Sequence, residues 1–214
     1  QLHLLLDVDS VASELAASQH PVCGTVIGRY QLLEEIGSGG MGSVFKARQL
    51  EPIERLVAIK IIKAGMDTRE VVARFEAERQ TLALMNHPGI ARVLDAGATD
   101  YGRPYLVMEL VDGYPITEFC NTHHVTIKER LRILMSVCEA VQHAHHRGII
   151  HRDLKPSNVL VESVDGKPVV RVIDFGIQKA IGSQAVHASV NTSIGEILGT
   201  PVYMSPEQAG RGQQ

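Results

Sequence analysis

An α+β fold is what this sequence predicts, and three observations carry the prediction. After residue 29, short alternating and continuous apolar runs (YQLLEEI, SVFKAR, RLVAIKIIK) surround a glycine cluster, the pattern of a small antiparallel sheet. From Thr126 to Arg147 the apolar residues shift to helical spacing behind a T-x-x-E capping box. At 214 residues, 44% hydrophobic and 21% charged, the chain suffices for one good core or two small lobes and has an ordinary globular composition.

The segments follow in order. Residues 1–28 carry an apolar patch at Leu4–Leu6, then small polar residues and Pro21, which reads as a linker or flexible segment with one helical stretch. The sheet strands come next. Asp67 to Met85 is helical by spacing, with Asp67 and Glu70 as a capping box, Val71, Phe75, Leu82 and Met85 near one face, and Asn86 and Pro88 as its end. IARVLDAGA and RPYLVMELV read as strands, the second followed by the turn pair Asp112-Gly113. The helix from Thr126, capped through Glu129, keeps Leu131, Leu134, Cys138 and Val141 at helical spacing and stops at Gly148. VLVE and VVRVI flank Asp165-Gly166 as a hairpin that delivers the chain to Asp174. A Ser/Thr-rich stretch to about Thr200 has the composition of an exposed loop.

Charge and cysteine content exclude several function classes. A formal net charge of -3 gives no reason to expect a nucleic-acid partner. Cys23, Cys120 and Cys138 are odd in number and widely spaced, which argues against a disulfide framework or thiolate metal site and for a reducing, cytoplasmic setting. No run reaches the roughly 18 apolar residues of a membrane helix, and QLHLLLDVDS lacks the flanks of a secretory signal. The chain opens on Gln1 rather than Met and so reads as an excerpt of something longer, leaving a membrane anchor elsewhere open.

Four motifs point to phosphate chemistry. IGSGGMGSV sets Gly37, Gly39 and Gly42 where backbone can approach phosphates without intervening side chains, and the strand-like Ser43–Ala47 makes the turn a hairpin rather than a dinucleotide-binding strand-to-helix turn. Lys60 ends the apolar VAIK and needs a counter-charge, which Glu78 on the only helix between the small-sheet strands would supply. HRDLKPSN gathers an acid, a cation and an amide in Asp153, Lys155 and Asn158. Asp174 follows a strand and precedes Phe175-Gly176, and with the amide oxygen of Asn158 it makes a hard-oxygen pair suited to Mg2+. His123, His124, His143, His145 and His146 read as a polar loop and a solvated helix end, and His151 as a packing and hydrogen-bonding residue.

The ordered set GSGGMGSV, VAIK, Glu78, HRDLKPSN, DFG and GTPVYMSPE, spanning about Tyr30 to Glu207, resembles the protein kinases, and within them the eukaryotic-like serine/threonine kinases of bacteria. The resemblance implies a two-lobed protein-kinase-like fold: an antiparallel-sheet N-lobe with one key helix over residues 29–111, and a mainly helical C-lobe, incomplete here, over 112–214. It implies ATP with Mg2+ in the cleft and protein substrates bearing Ser or Thr. By the same resemblance Gly37, Gly39 and Gly42 cover the phosphates, and Lys60 paired with Glu78 holds the α- and β-phosphates. Asp153 accepts the hydroxyl proton, Lys155 neutralises the transferred group, and Asn158 and Asp174 bind the metal. Ile36, Val44, Ala58, Met108 and Leu160 would line the adenine pocket, with backbone groups of Glu109 and Val111 on the adenine edge.

Lys155 and Thr200 resemble the serine/threonine rather than the tyrosine class. Arg152 would pair with a phosphate on Ser189, Thr192 or Ser193. The family pattern continues past SPE through further helices, one of which buttresses the catalytic loop, and Glu207 usually pairs with a basic residue beyond. Two functions follow as expectations: an active kinase, with self-association for autophosphorylation open, or a nucleotide-binding pseudokinase or regulatory module.

Overall fold

The computed structural model describes residues 21–39, 42–63, 85–175 and 203. The helix expected over Asp67–Met85, Glu78 included, lies outside the described residues except for Met85, as do Gly176 and the Ser/Thr-rich loop.

Six strands form the first sheet: β1 (Val26–Ile27), β2 (Tyr30–Gly39), β3 (Gly42–Gln49), β4 (Arg55–Ile62), β5 (Val93–Ala98) and β6 (Pro104–Glu109), in the spatial order β1-β2-β3-β4-β6-β5. All neighbours are antiparallel. β1 falls inside the segment whose sequence reads as a linker, because two residues are too few to show a period. The glycine cluster closes the β2–β3 hairpin, with Gly39 opposite Gly42. A Cβ on Gly42 would lie 2.1 Å from the carbonyl oxygen of Ile61, so close approach of β4 already demands glycine there.

β4 explains why the run LVAIKII is apolar except for Lys60. Strand alternation sends Val57, Ile59 and Ile61 into a cluster with Leu32, Phe45 and Val107. Ala58 and Ile62 enter a second cluster on the opposite face with Ala96, Leu106 and Met108. Lys60, between Ala58 and Ile62 in this alternation, shares their face and is buried.

The second sheet contains β7 (Tyr114–Pro115), β8 (Val159–Val164) and β9 (Lys167–Val172), in that order. The β8–β9 hairpin turns at Asp165-Gly166, whose φ angles of +50° and +73° are the pair of positive values that a type I′ turn requires. Between β7 and β8 run α1 (Ile116–Thr122), too short to announce itself by periodicity, and α2 (Ile127–His145). The capping box of α2 forms as its sequence implies. Thr126 accepts from the Glu129 amide, and the Glu129 carboxylate accepts from both the Thr126 amide (3.0 Å) and its hydroxyl (2.6 Å). These bonds hold the Glu129 carboxyl below its ordinary range.

Of Leu131, Leu134, Cys138 and Val141, the residues whose spacing suggests a buried face of α2, only Val141 packs against the core, and it is partly buried. Ile133, Val137, Ala140 and Ala144 enter the core with Ile90, Val161, Val170 and Val172, while Leu131, Leu134 and Cys138 are exposed among the described residues. The helix is apolar around much of its circumference, so spacing alone selects no side; the sheet partner does. The N-lobe segment after Pro88 is tied to this core through main-chain bonds from Val172 N–H to Gly89 O (2.8 Å) and Ala91 N–H to Val172 O (3.0 Å).

Thr126→Ala removes the hydroxyl that caps α2 and is expected to lower unfolding free energy by about 1 kcal/mol, read as a shift in denaturant midpoint at constant slope.

Candidate active site

The loop that follows α2 is set by its C-terminal cap. Gly148 at φ +71° allows Ile149 N–H to reach Ala144 O (3.0 Å) and Gly148 N–H to reach His145 O (2.9 Å), a Schellman pattern that turns Ile149 into the core. Two residues on, His151 is buried. Its Nδ1 lies 3.3 Å from the amide of Asp153, which can only donate, so Nε2 carries the proton and donates to Ile173 O at 2.9 Å. Burial holds the His151 pKa below its ordinary 6.5, against the opposing pull of the Ile173 carbonyl and of Asp174 and Asp153. This neutral imidazole links the HRD stretch to the residue before Asp174, and its ring packs 4.6 Å from that of Phe175.

Asn158 closes a short 3-10 turn (Pro156–Asn158) and is buried. Its Nδ2 donates to Asp153 O at 2.8 Å and lies 3.3 Å from Asp153 Oδ2, while its main-chain carbonyl accepts from Ile173 N–H at 3.0 Å. Lys155 Nζ stands 3.0 Å from the same Asp153 Oδ2. Asp153, Lys155, Asn158 and the strand end before Asp174 therefore form one bonded unit.

Two residues flanking that unit hold unusual backbone. Arg152 at φ +67° and Asp174 at φ +63° occupy the left-handed region, which costs a non-glycine residue on the order of 1 kcal/mol or more. Such conformations persist only where surrounding contacts fix them. At Asp174 the contact is Lys60: Nζ lies 2.8 Å from Oδ2, with side chains 10% and 21% exposed. Sequence patterning assigns Lys60 to Glu78, which lies outside the described residues; the described partner is Asp174, two residues past the end of β9.

The residues expected around adenine divide into two groups. Val44, Ala58 and Met108 share one cluster, Ala58 lies opposite Met108, and Val44 lies opposite both Gly37 and Lys60. Leu106 and Leu110 join that cluster without having been anticipated. Ile36 is 48% exposed on β2, and Leu160 lies on β8 opposite Pro115 and Arg171; neither belongs to that cluster. Glu109 ends β6 and Val111 follows it, half-buried.

The donor chemistry fits a divalent cation. The amide nitrogen of Asn158 is committed to Asp153, which leaves Oδ1 as its acceptor, and the Asn158 main chain is bonded to Ile173, the residue before Asp174. Two hard oxygen donors suffice for an ion that keeps several waters and shares phosphate oxygens.

The family model for the protein kinase domain matches residues 30–214. Among curated proteins, the serine/threonine-protein kinase Pkn1 of Myxococcus xanthus is 39% identical over 198 residues, covering 91% of this chain and 28% of that protein. The serine/threonine-protein kinase PknA of Mycobacterium tuberculosis is 40% identical over 191 residues, covering 86% of this chain and 42% of that protein. The chain thus spans well under half the length of these relatives. The crystal structure of the Mycobacterium tuberculosis PknI kinase domain superposes with a TM-score of 0.62 at 29% identity, covering 74% of this chain and 64% of that one.

A histidine held neutral by burial binds fewer protons folded than unfolded below about pH 6.5. Its contribution to stability is present above that pH and lost as pH falls. Unfolding measured from pH 8 to 5 should show wild type losing stability more steeply below pH 6.5 than His151→Gln, whose amide can still donate to Ile173; parallel curves would contradict this.

Proposed function

This chain belongs to the protein kinase family, and we propose that it transfers the γ-phosphoryl group of ATP to serine or threonine hydroxyls of proteins. The observation that carries the reading is the connected set of Lys60, Asp174, Asn158, Asp153 and Lys155 described above. Two cations, a proton acceptor and two oxygen donors held together are what phosphoryl transfer requires, since its catalysis is mainly positioning and charge neutralisation.

In this reading the backbone at Gly37, Gly39 and Gly42 lies over the phosphates, and Lys60 binds the α- and β-phosphates, with Glu78 as a further counter-charge. Asp153 orients the substrate hydroxyl and accepts its proton. Lys155, 3.0 Å from Asp153, neutralises the γ-phosphoryl oxygens as the bond to the β-phosphate breaks. Asn158 and Asp174 would hold Mg2+, which would supply charge neutralisation to the phosphates. Val44, Ala58 and Met108 enclose the adenine, Ile36 and Leu160 cover its two faces, and main-chain groups of Glu109 and Val111 bind its edge.

Lys155 and the serine/threonine kinases among the relatives support hydroxyl rather than phenol substrates. We further propose that a phosphate on Ser189, Thr192 or Ser193 regulates the site through Arg152. The three cysteines are free, and among the described residues no helix is long and apolar enough to cross a membrane. We assign the domain to the cytoplasm, where ATP is supplied.

Transfer from labelled ATP to a generic basic protein, or to the protein itself, tests the reading in the full-length protein. Asp153→Asn should lower kcat by about 10²- to 10⁴-fold while Mg·ATP still binds. Nucleotide binding by wild type without transfer would instead favour a regulatory module.

A further inference from the structure

One guanidinium outside the catalytic set joins three chain segments. Arg171, on β9, donates from Nη1 to Pro88 O at 2.7 Å. Its Nε donates to Glu162 Oε2 at 3.1 Å, and its Nη2 lies 3.8 Å from Glu109 Oε1. Glu162 uses its other oxygen to accept the amide of Asp112 at 3.1 Å. Glu109 also accepts the Arg92 amide at 3.3 Å, returns its own amide to Arg92 O at 2.9 Å, and stands 3.7 Å from the Arg92 guanidinium. Arg171 thereby reaches both ends of the connector from Glu109 to Asp112, one through a 3.8 Å ion pair and the other through Glu162.

That connector carries the backbone groups assigned to the adenine edge. With Arg171 22%, Glu109 28% and Glu162 18% exposed in their side chains, these ion pairs are better shielded than surface pairs. We infer that Arg171 is a positioning residue for the nucleotide: by fixing Glu109 and Asp112 it sets in advance the main-chain donor and acceptor that meet adenine. The effect falls on binding, because ordering the connector beforehand lowers the entropy lost when ATP docks. Phosphoryl transfer itself depends on Asp153 and Lys155, which Arg171 does not touch in any described contact. The inference rests on the kinase reading proposed above.

Calorimetric binding of Mg·ATP and steady-state kinetics on the full-length protein test it. Arg171→Met should raise the Kd and KM for ATP about tenfold while kcat stays within about twofold. Arg171→Lys, which can reach only part of the set, should fall between. Glu109→Gln keeps the backbone and side-chain volume and should also raise Kd; it decides the matter if Arg171→Met does not fold. Combining the two substitutions should cost less than the sum of the singles, because both act through one network. ATP affinity within twofold of wild type in the folded variants, with only a lower melting temperature, would overturn the inference alone. Failure of wild type to bind Mg·ATP would overturn the kinase reading and this inference with it.

Discussion

The ion pair between Lys60 and Asp174 is the constraint on which the rest of the structure depends. Two charges that far from water cost several kcal/mol each to desolvate, and their attraction roughly offsets that cost when geometry is good. The pair therefore adds little net stability. Its effect lies in what its loss would leave, a buried cation on a strand whose neighbours are Ala58, Ile62 and Leu106. Among the described residues, Lys60 on the inner face of the first sheet is balanced by the carboxylate of Asp174, two residues past the end of β9. The left-handed backbone at Asp174 aims that carboxylate, and the Lys60 contact in turn stabilises the strained conformation.

Around this pair, local rules place each remaining group. The Asp165-Gly166 turn fixes the register of β8 and β9 and so determines where the chain arrives at Ile173. His151 and Asn158 then grip that arrival point from the preceding loop, one through the Ile173 carbonyl and the other through its amide. A shift of one residue in the hairpin would break both bonds and turn Asp174 to the opposite face. Turn chemistry at a site distant from the chemistry thus controls the position of a proposed metal ligand.

Much of this was legible in the amino acids. The capping box at Thr126 and Glu129, the Asp165-Gly166 hairpin, the glycine-closed hairpin and the buried Lys60 strand are local signals, written within a few residues of where they act. Contacts between distant segments were less legible. Nothing in the spacing of α2 says that Val137 rather than Leu134 faces the sheet, since both sit on apolar stripes. The Asp174 partner of Lys60 and the Arg171 links to Pro88 and Glu109 join residues far apart in sequence. Arg171 and Glu162 could have been foreseen as near neighbours once the hairpin register was set; Pro88 and Glu109 could not. β1, β7 and α1 are too short to show a period.

The most direct measurement is chemical labelling of lysines by an acyl-phosphate derivative of ATP, which transfers its acyl group to an amine lying near the terminal phosphate and releases ATP. A single cleft built on the Lys60–Asp174 pair predicts that mass spectrometry will find the acyl group on Lys60 or Lys155 and that excess Mg·ATP will suppress the labelling. Labelling spread over Lys46, Lys128 and Lys167, with no protection by Mg·ATP, would contradict it.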